Sequence, residues 1–293
     1  MRLEKKAISG TVLMLLLSYM LVLAVSIQSV TAEDGIFYVR ADGAVEPSTA
    51  PILRDGDVYT FTGDIFGSIV VERSNIIVDG NGYLLQGSRS INGFQLDGVN
   101  NVTIQNVKIQ NFSTAISFNN ASYNTVSGND IVDNDHGINI YSSAYNTISR
   151  NTIADNYLRG IEIYESSEFN IVSENNITNS KQYAISLYDC AYNRIFHNNL
   201  INNTNQICLS ASSSTWDDGY PSGGDYLSDY SGTDSDGDGI GDTPYIVDEN
   251  NQDNYPLMEP VIIPEFPTWT TLLLMLILPA VALAVYKRRL DTK

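Results

Sequence analysis

The feature that most constrains this chain is an asparagine register that keeps returning. "NVTIQNVKIQN" begins at Asn101, "NTVSGNDIVDN" at Asn124, "NTISRNTIADN" at Asn146, "NIVSENNITNS" at Asn170 and "NRIFHNNLINN" at Asn193, so the anchors fall 22 to 24 residues apart. A second Asn follows five residues later in each (Asn106, Asn129, Asn151, Asn175 and Asn198). A third stands at Asn111, Asn134, Asn156 and Asn203, with Ser180 in its place once. Apolar columns keep the same period. One is Val126, Ile148, Val172, Ile195, and another is Ile131, Ile153, Ile177, Leu200. A third is a pair, Ile138/Ile140, Ile161/Ile163, Ile185/Leu187 and Ile207/Leu209; the coil beginning at Asn101 uses Ile104, Ile109 and Ile116/Phe118, shifted by about one residue.

Pieces of two to four residues between asparagines are too short for helices. Strands that recur at a fixed interval pair with the same strand one interval later. The result is an all-β fold: three parallel sheets around one apolar core, a right-handed parallel β-helix of about 22–24 residues per coil. Each coil should advance the stack by about 4.8 Å. The asparagines are read as structural. At each corner the backbone leaves the sheet, and Asn tolerates left-handed dihedrals while its amide bonds to the Asn above and below.

The remainder divides around this rod. Met1–Lys6 is basic, Val12–Val25 is apolar and "SVTA" ends at Ala32, the pattern of a signal peptide over residues 1–32. Residues 33–66 are read as an N-terminal cap, 67–210 as the coils and 211–258 as an acidic C-terminal cap rich in aromatics. Residues 259–267 form a Pro-rich spacer. Residues 268–286 are uncharged and long enough to span a bilayer, and the basic tail 287–293 obeys the positive-inside rule. This places the body outside the cell, tethered through its C-terminus. The net charge of -18, with no Lys or Arg between Arg194 and Lys287, would repel a phosphate backbone, so no nucleic-acid partner is expected.

The "N-x-I-x-x-N-x-I-x-x-N…GI-x-I" pattern over about Gly67 to Leu209 resembles the repeats of NosD-like proteins and, more widely, the pectin-lyase-like group of carbohydrate-binding and sugar-hydrolase β-helices. "DDGYPSGGDYLSDYSGTDSDGDGIGDTPYIVDENNQDNYPLM", Asp217–Met258, is similar to the C-terminal segment of archaeal surface members. The N-terminal stretch from Phe37 is similar to theirs too, and "PEFPTW" resembles archaeal C-terminal sorting signals. The resemblance implies this fold and a surface location. It also implies two rival functions, copper handling as in NosD and polysaccharide cleavage as in pectinases.

Candidate sites follow from alternation along the third strand of each coil. With Ile138 and Ile140 pointing in, Asn139 and Tyr141 point out, as do Glu162/Tyr164 and Ser186/Tyr188. Tyrosines beside carboxylates and amides suit sugar rings, so an extracellular polysaccharide or surface glycan is the favoured partner and a binding or structural module the favoured function. The column Tyr123, Tyr145, Phe169 and Tyr192 is expected to pack at a corner. "DSDGDGIGD" places Asp234, Asp236, Asp238, the Ile240 carbonyl and Asp242 at loop positions 1, 3, 5, 7 and 9, a spacing suited to a structural Ca²⁺. The glutamate of an EF-hand at position 12 is replaced by Tyr245. "DNDHG" offers Asp133, Asp135 and His136, but the companion signatures of polygalacturonases and alginate epimerases are missing, so no catalytic residues are assigned. Copper is not expected: His136 and His197 fall in different corners, and Cys190 and the position of Cys208 lie about 13 Å apart along the strand, too far for a disulfide.

Overall fold

The computed structural model describes residues 35–263. The expected signal peptide, membrane span and basic tail lie outside them. Among the described residues no helix is long and apolar enough to cross a membrane, and all the assigned elements are strands.

The middle coils each contribute two strands of three residues and one of six, such as Thr125–Ser127, Asp130–Val132 and His136–Tyr141. Every strand pairs in parallel with its counterpart one coil on: Val126 with Ile148, Ile131 with Ile153, Ile138 with Ile161. The third sheet contains seven such strands from Ile65–Val71 to Asn205–Ser210. Like therefore stacks on like. Ile131, Ile153 and Ile177 form a single file with no exposed surface, and each buried Ile contributes about 1.5–3 kcal/mol.

Corner duty is split between two adjacent residues, where the sequence suggests that one Asn does both jobs. The buried corner asparagines of the coils are not left-handed; the residue just before each is, including Asp133 (φ 58), Arg150 (φ 58), Asp155 (φ 55), Glu174 (φ 56) and His197 (φ 57). The buried Asn instead ties coil to coil. Asn151 Oδ1 accepts from the backbone N–H (3.0 Å) and side-chain amide (3.0 Å) of Asn129, and its own Nδ2 donates to the Val126 and Ser149 carbonyls. These are the backbone groups that lose sheet partners at a bend, and leaving them unpaired would cost about 1–3 kcal/mol each.

The first clear coil is offset by one. Asn101, Asn106 and Asn111 are themselves left-handed (φ 56, 56 and 60). The buried places beside them hold Val102, Val107 and Phe112, whose N–H groups donate to Asn124, Asn129 and Asn134. The ladders thus begin at Asn124, and the 23-residue step from Asn101 does not join equivalent positions.

Both ends of the stack are covered. At the N-terminal end Ile52–Asp55 and Val58–Phe61 form an antiparallel pair that bears on Ile76–Asp79, with Tyr59 and Phe61 fully buried. At the other end Trp216, 1% exposed, donates its indole N–H to Asn251 Oδ1 at 3.3 Å. Tyr226–Leu227 closes the second sheet against Asn199 and Leu200.

Candidate functional site

The outer face of the third sheet carries three side-chain rows fixed by parallel register. His136 lies beside Arg159, and Asn139, Glu162, Ser186 and Cys208 form the second row. Tyr141, Tyr164 and Tyr188 form the third. A close approach at glycine brings His136 and Arg159 to this face. A Cβ on Gly137 would lie 2.3 Å from the Gly160 carbonyl oxygen and 2.9 Å from Ile153, so only glycine lets the coils meet there. The strand bends at this point and alternation breaks, with Gly137 and Ile138 buried in succession. Strict alternation counted back from Ile138 would turn His136 inward. Spacing therefore does not reveal the pairing of His136 with Arg159; the repeated Gly137/Gly160 before each isoleucine is the signal.

The six residues expected to form an open ladder do leave the core, but they are not uniformly open. Tyr141 is 37% exposed, whereas Ser186 is fully buried. Long neighbours fold across the sheet. The Arg159 guanidinium pairs with Glu162 Oε1 at 2.9 Å and donates to the Tyr188 hydroxyl at 3.4 Å. Tyr188 in turn contacts Cys208 Sγ at 3.2 Å, so this chain of contacts passes over Ser186. Nor do the tyrosines make one flat stack. Tyr141 and Tyr164 are tilted by 56° at a centroid distance of 5.1 Å, while the Tyr188 ring faces Arg159.

The cluster is electrostatically tuned. Burial pushes the Glu162 carboxyl up, against the pull of Arg159. Burial pushes His136 down, and Arg159 adds to this while Asp135 opposes it. His136 Nδ1 stands 3.6 Å from Glu162 Oε2, too far for a hydrogen bond. Four buried atoms here, His136 Nδ1, Asn139 Oδ1, Arg159 Nε and Ser186 Oγ, have no hydrogen-bond partner in the protein. Such atoms are costly unless something satisfies them.

Other candidates are placed elsewhere. Asp133 is exposed in its left-handed corner, and Asp135 pairs with Arg89 at 2.9 Å, so the acids of "DNDHG" do not converge with the histidine. Tyr123, Tyr145, Phe169 and Tyr192 do pack at a corner, each in a left-handed position (φ 60, 58, 55 and 58), but not against the core. They stack on one another in solvent, with centroids 5.0, 5.1 and 5.3 Å apart and planes within 9°. Their faces are taken up by each other, which leaves edges rather than a platform for sugars. An open polar groove of about 440 Å³ lies where the last coils meet the C-terminal cap, lined in part by Glu168, Asp189, Ser212 and Asp248.

In the acidic loop, one oxygen each from Asp234, Asp236 and Asp238 gathers within 4.8 Å. Asp242 is engaged differently: its Oδ2 accepts from the Ser235 N–H at 2.9 Å and hydroxyl at 2.7 Å. Ile240 is buried and bridges to Leu257.

Residues 30–232 match the family model for periplasmic copper-binding protein (NosD). The chain belongs to the NosD family. No curated protein matches it. Among solved structures it is similar to the periplasmic alginate epimerase AlgG, at 17% identity over 52% of this chain and 37% of that one, with a TM-score of 0.45. It is also similar to the catalytic domain of a GH87 alpha-1,3-glucanase in complex with nigerose, at 19% identity over 69% and 42%, with a TM-score of 0.27. The chain spans less than half the length of these structures.

The copper in the family's description does not fit the donors described here. His136 faces Glu162, and His197 Nε2 is 2.9 Å from the Ser222 carbonyl. Cys208 contacts Tyr188, and Cys190 is buried beside Ser212 with its thiol pushed up by burial. Both cysteines are free. Copper selects His, Cys and Met side chains gathered at one point, and these four stand on separate partners.

Proposed function

We propose that this NosD-family chain is an exported, membrane-tethered binding module and that the outer face of its third sheet takes a polysaccharide segment. One observation carries the reading: His136 Nδ1, Asn139 Oδ1 and Arg159 Nε are buried without partners in one patch beside Tyr141 and Tyr164. Sugar hydroxyls donate and accept, so one ligand class can satisfy both kinds of atom, while the tyrosines supply apolar contact. The net charge of -18 and the neutralisation of Arg159 by Glu162 favour an uncharged glycan over a polyuronate.

The test is a glycan array with the full-length protein and a Tyr141→Ala/Tyr164→Ala variant. Binding should fall at least tenfold in the variant, and neutral glycans should be preferred. Unchanged binding in the double variant would move the site elsewhere, with the groove beside Asp189 and Asp248 the next place to mutate.

Two finer points belong to the same reading. Asp234, Asp236 and Asp238 hold a Ca²⁺ that braces the cap. The tether is the apolar segment 268–286, with residues 1–32 removed on export. Cleavage of the bound glycan is the second reading, favoured by one detail, a Glu162 carboxyl pushed up by burial beside a His136 pushed down by it. Release of reducing ends that disappears in Glu162→Gln would establish it.

A further inference from the structure

The ladder at the second corner ends in a way its asparagines do not predict. Asn129, Asn151, Asn175 and Asn198 are successive rungs, and from Asn151 on each Oδ1 accepts the backbone N–H and the amide of the rung before. The next rung is not Asn. Asp225 Oδ1 accepts the Asn198 N–H at 2.7 Å and its Nδ2–H at 2.9 Å. The pattern then continues, because the Asp225 N–H donates to Asp253 Oδ2 at 2.7 Å. Two carboxylates thus occupy consecutive rungs. Asp225 is 1% exposed and Asp253 2%.

With Oδ1 doing what every rung oxygen does, Asp225 Oδ2 stands where each asparagine carries its donor nitrogen. In the rung before, that nitrogen donates to the Val172 carbonyl at 2.9 Å, and Val172 pairs in register with Ile195. The equivalent acceptor for Asp225 is therefore the Ile195 carbonyl. An ionised carboxylate has nothing to donate, and Oδ2 has no partner. We propose that Asp225 is a proton-holding rung: a neutral carboxylic acid whose Oδ2–H replaces the amide donor and latches the C-terminal cap to the last coil, so that loss of this proton in alkaline conditions releases the cap.

The surroundings favour a proton over a metal ion. Both Asp253 oxygens already accept backbone N–H groups, from Asp225 and Tyr255. Both Asp217 oxygens are likewise used, by Gly219 and by Asn254. Of these oxygens only Asp225 Oδ2 accepts no hydrogen bond. The other charged groups nearby look elsewhere: Asp218 pairs with Arg194 at 2.6 Å, and the His197 ring lies against Ser222. No cation faces the pair among the contacts described. Burial, then the Asp253 charge and more weakly Asp217, push Asp225 well up, against the Asn198 hydrogen bonds. Burial pushes Asp253 to about 7. Groups raised in the folded state bind protons that the unfolded chain has lost, so they stabilise fully below about pH 4 and progressively less as pH rises through the folded values.

The experiment follows hydrogen exchange of cap amides such as Tyr226 and Leu257 in the full-length protein with chelator, from pH 5 to 9, corrected for intrinsic base catalysis. Wild type should open more with rising pH, by at least tenfold over that range. Asp225→Asn should complete the ladder, flatten this dependence and protect the cap at pH 8. Asp253→Asn removes the charge that holds the proton on Asp225, so its opening should begin at lower pH than in wild type. A cap that opens as steeply in Asp225→Asn as in wild type would overturn the proposal. So would a flat profile in Asp253→Asn alone, which would place the proton there, or Ca²⁺ protecting the wild-type cap but not that of Asp225→Asn, which would make the rung a metal ligand.

Discussion

The middle coils and the C-terminal cap solve one problem with different chemistry. Both must satisfy backbone groups stranded at corners. Between Asn124 and Asn203 the solution is a neutral amide, which donates and accepts whatever the pH. In the cap carboxylates do most of it: Asp225, Asp253, Asp217 and Asp248 all accept backbone or amide N–H groups. An amide ladder extends indefinitely because each rung presents the next with the same donor and acceptor. A carboxylate terminates it, since it accepts without donating unless protonated. The body is therefore built for constancy, and the cap carries the conditional stability.

This contrast can be broken experimentally. The largest loss is expected from Asn175→Leu, which strips partners from the Asn151 N–H and amide and from the Ile148 and Ser173 carbonyls. Urea unfolding should show a cost of about 4 kcal/mol, and a cost below about 1 kcal/mol would mean the ladder is ornament to the apolar core. Ile153→Ala tests that core directly and should cost about 3 kcal/mol through the cavity it leaves. Asn175→Asp transplants cap chemistry into the body. Its buried carboxyl should be raised like that of Asp225, so relative to wild type the rod should keep its stability in acid and lose about 2 kcal/mol more as pH rises past neutral. A flat profile would show that the cap's behaviour has another origin.

Smaller effects sharpen the comparison. If the aspartate loop is loaded with Ca²⁺, chelation should lower the melting temperature by a few degrees, and Asp236→Ala should remove the response. Tyr145→Asn exchanges ring stacking for easier left-handed geometry (φ 58), and the two should offset to within about 1 kcal/mol.

Much of the candidate site was legible in the sequence and part was not. The row Asn139, Glu162, Ser186 and the row Tyr141, Tyr164, Tyr188 follow from counting, because the coils pair in register. Their exposure does not follow: Ser186 is closed over because Arg159 reaches a phenol 29 residues further along the chain. His136 joins the site only through the bend at Gly137, a matter of contact with the coil above.

From sequence alone came the period, the three apolar columns and the parallel pairing. A repeat makes every contact a contact with its own copy, so one coil's pattern dictates the stack. Tertiary structure alone decided which residue at each corner is buried and which is left-handed, how the outer face closes over Ser186, and that Asp225 and Asp253 finish the second ladder. The last depends on a meeting between segments with no period in common; the first two turn on backbone bends and side-chain reach inside the repeat, which spacing does not report.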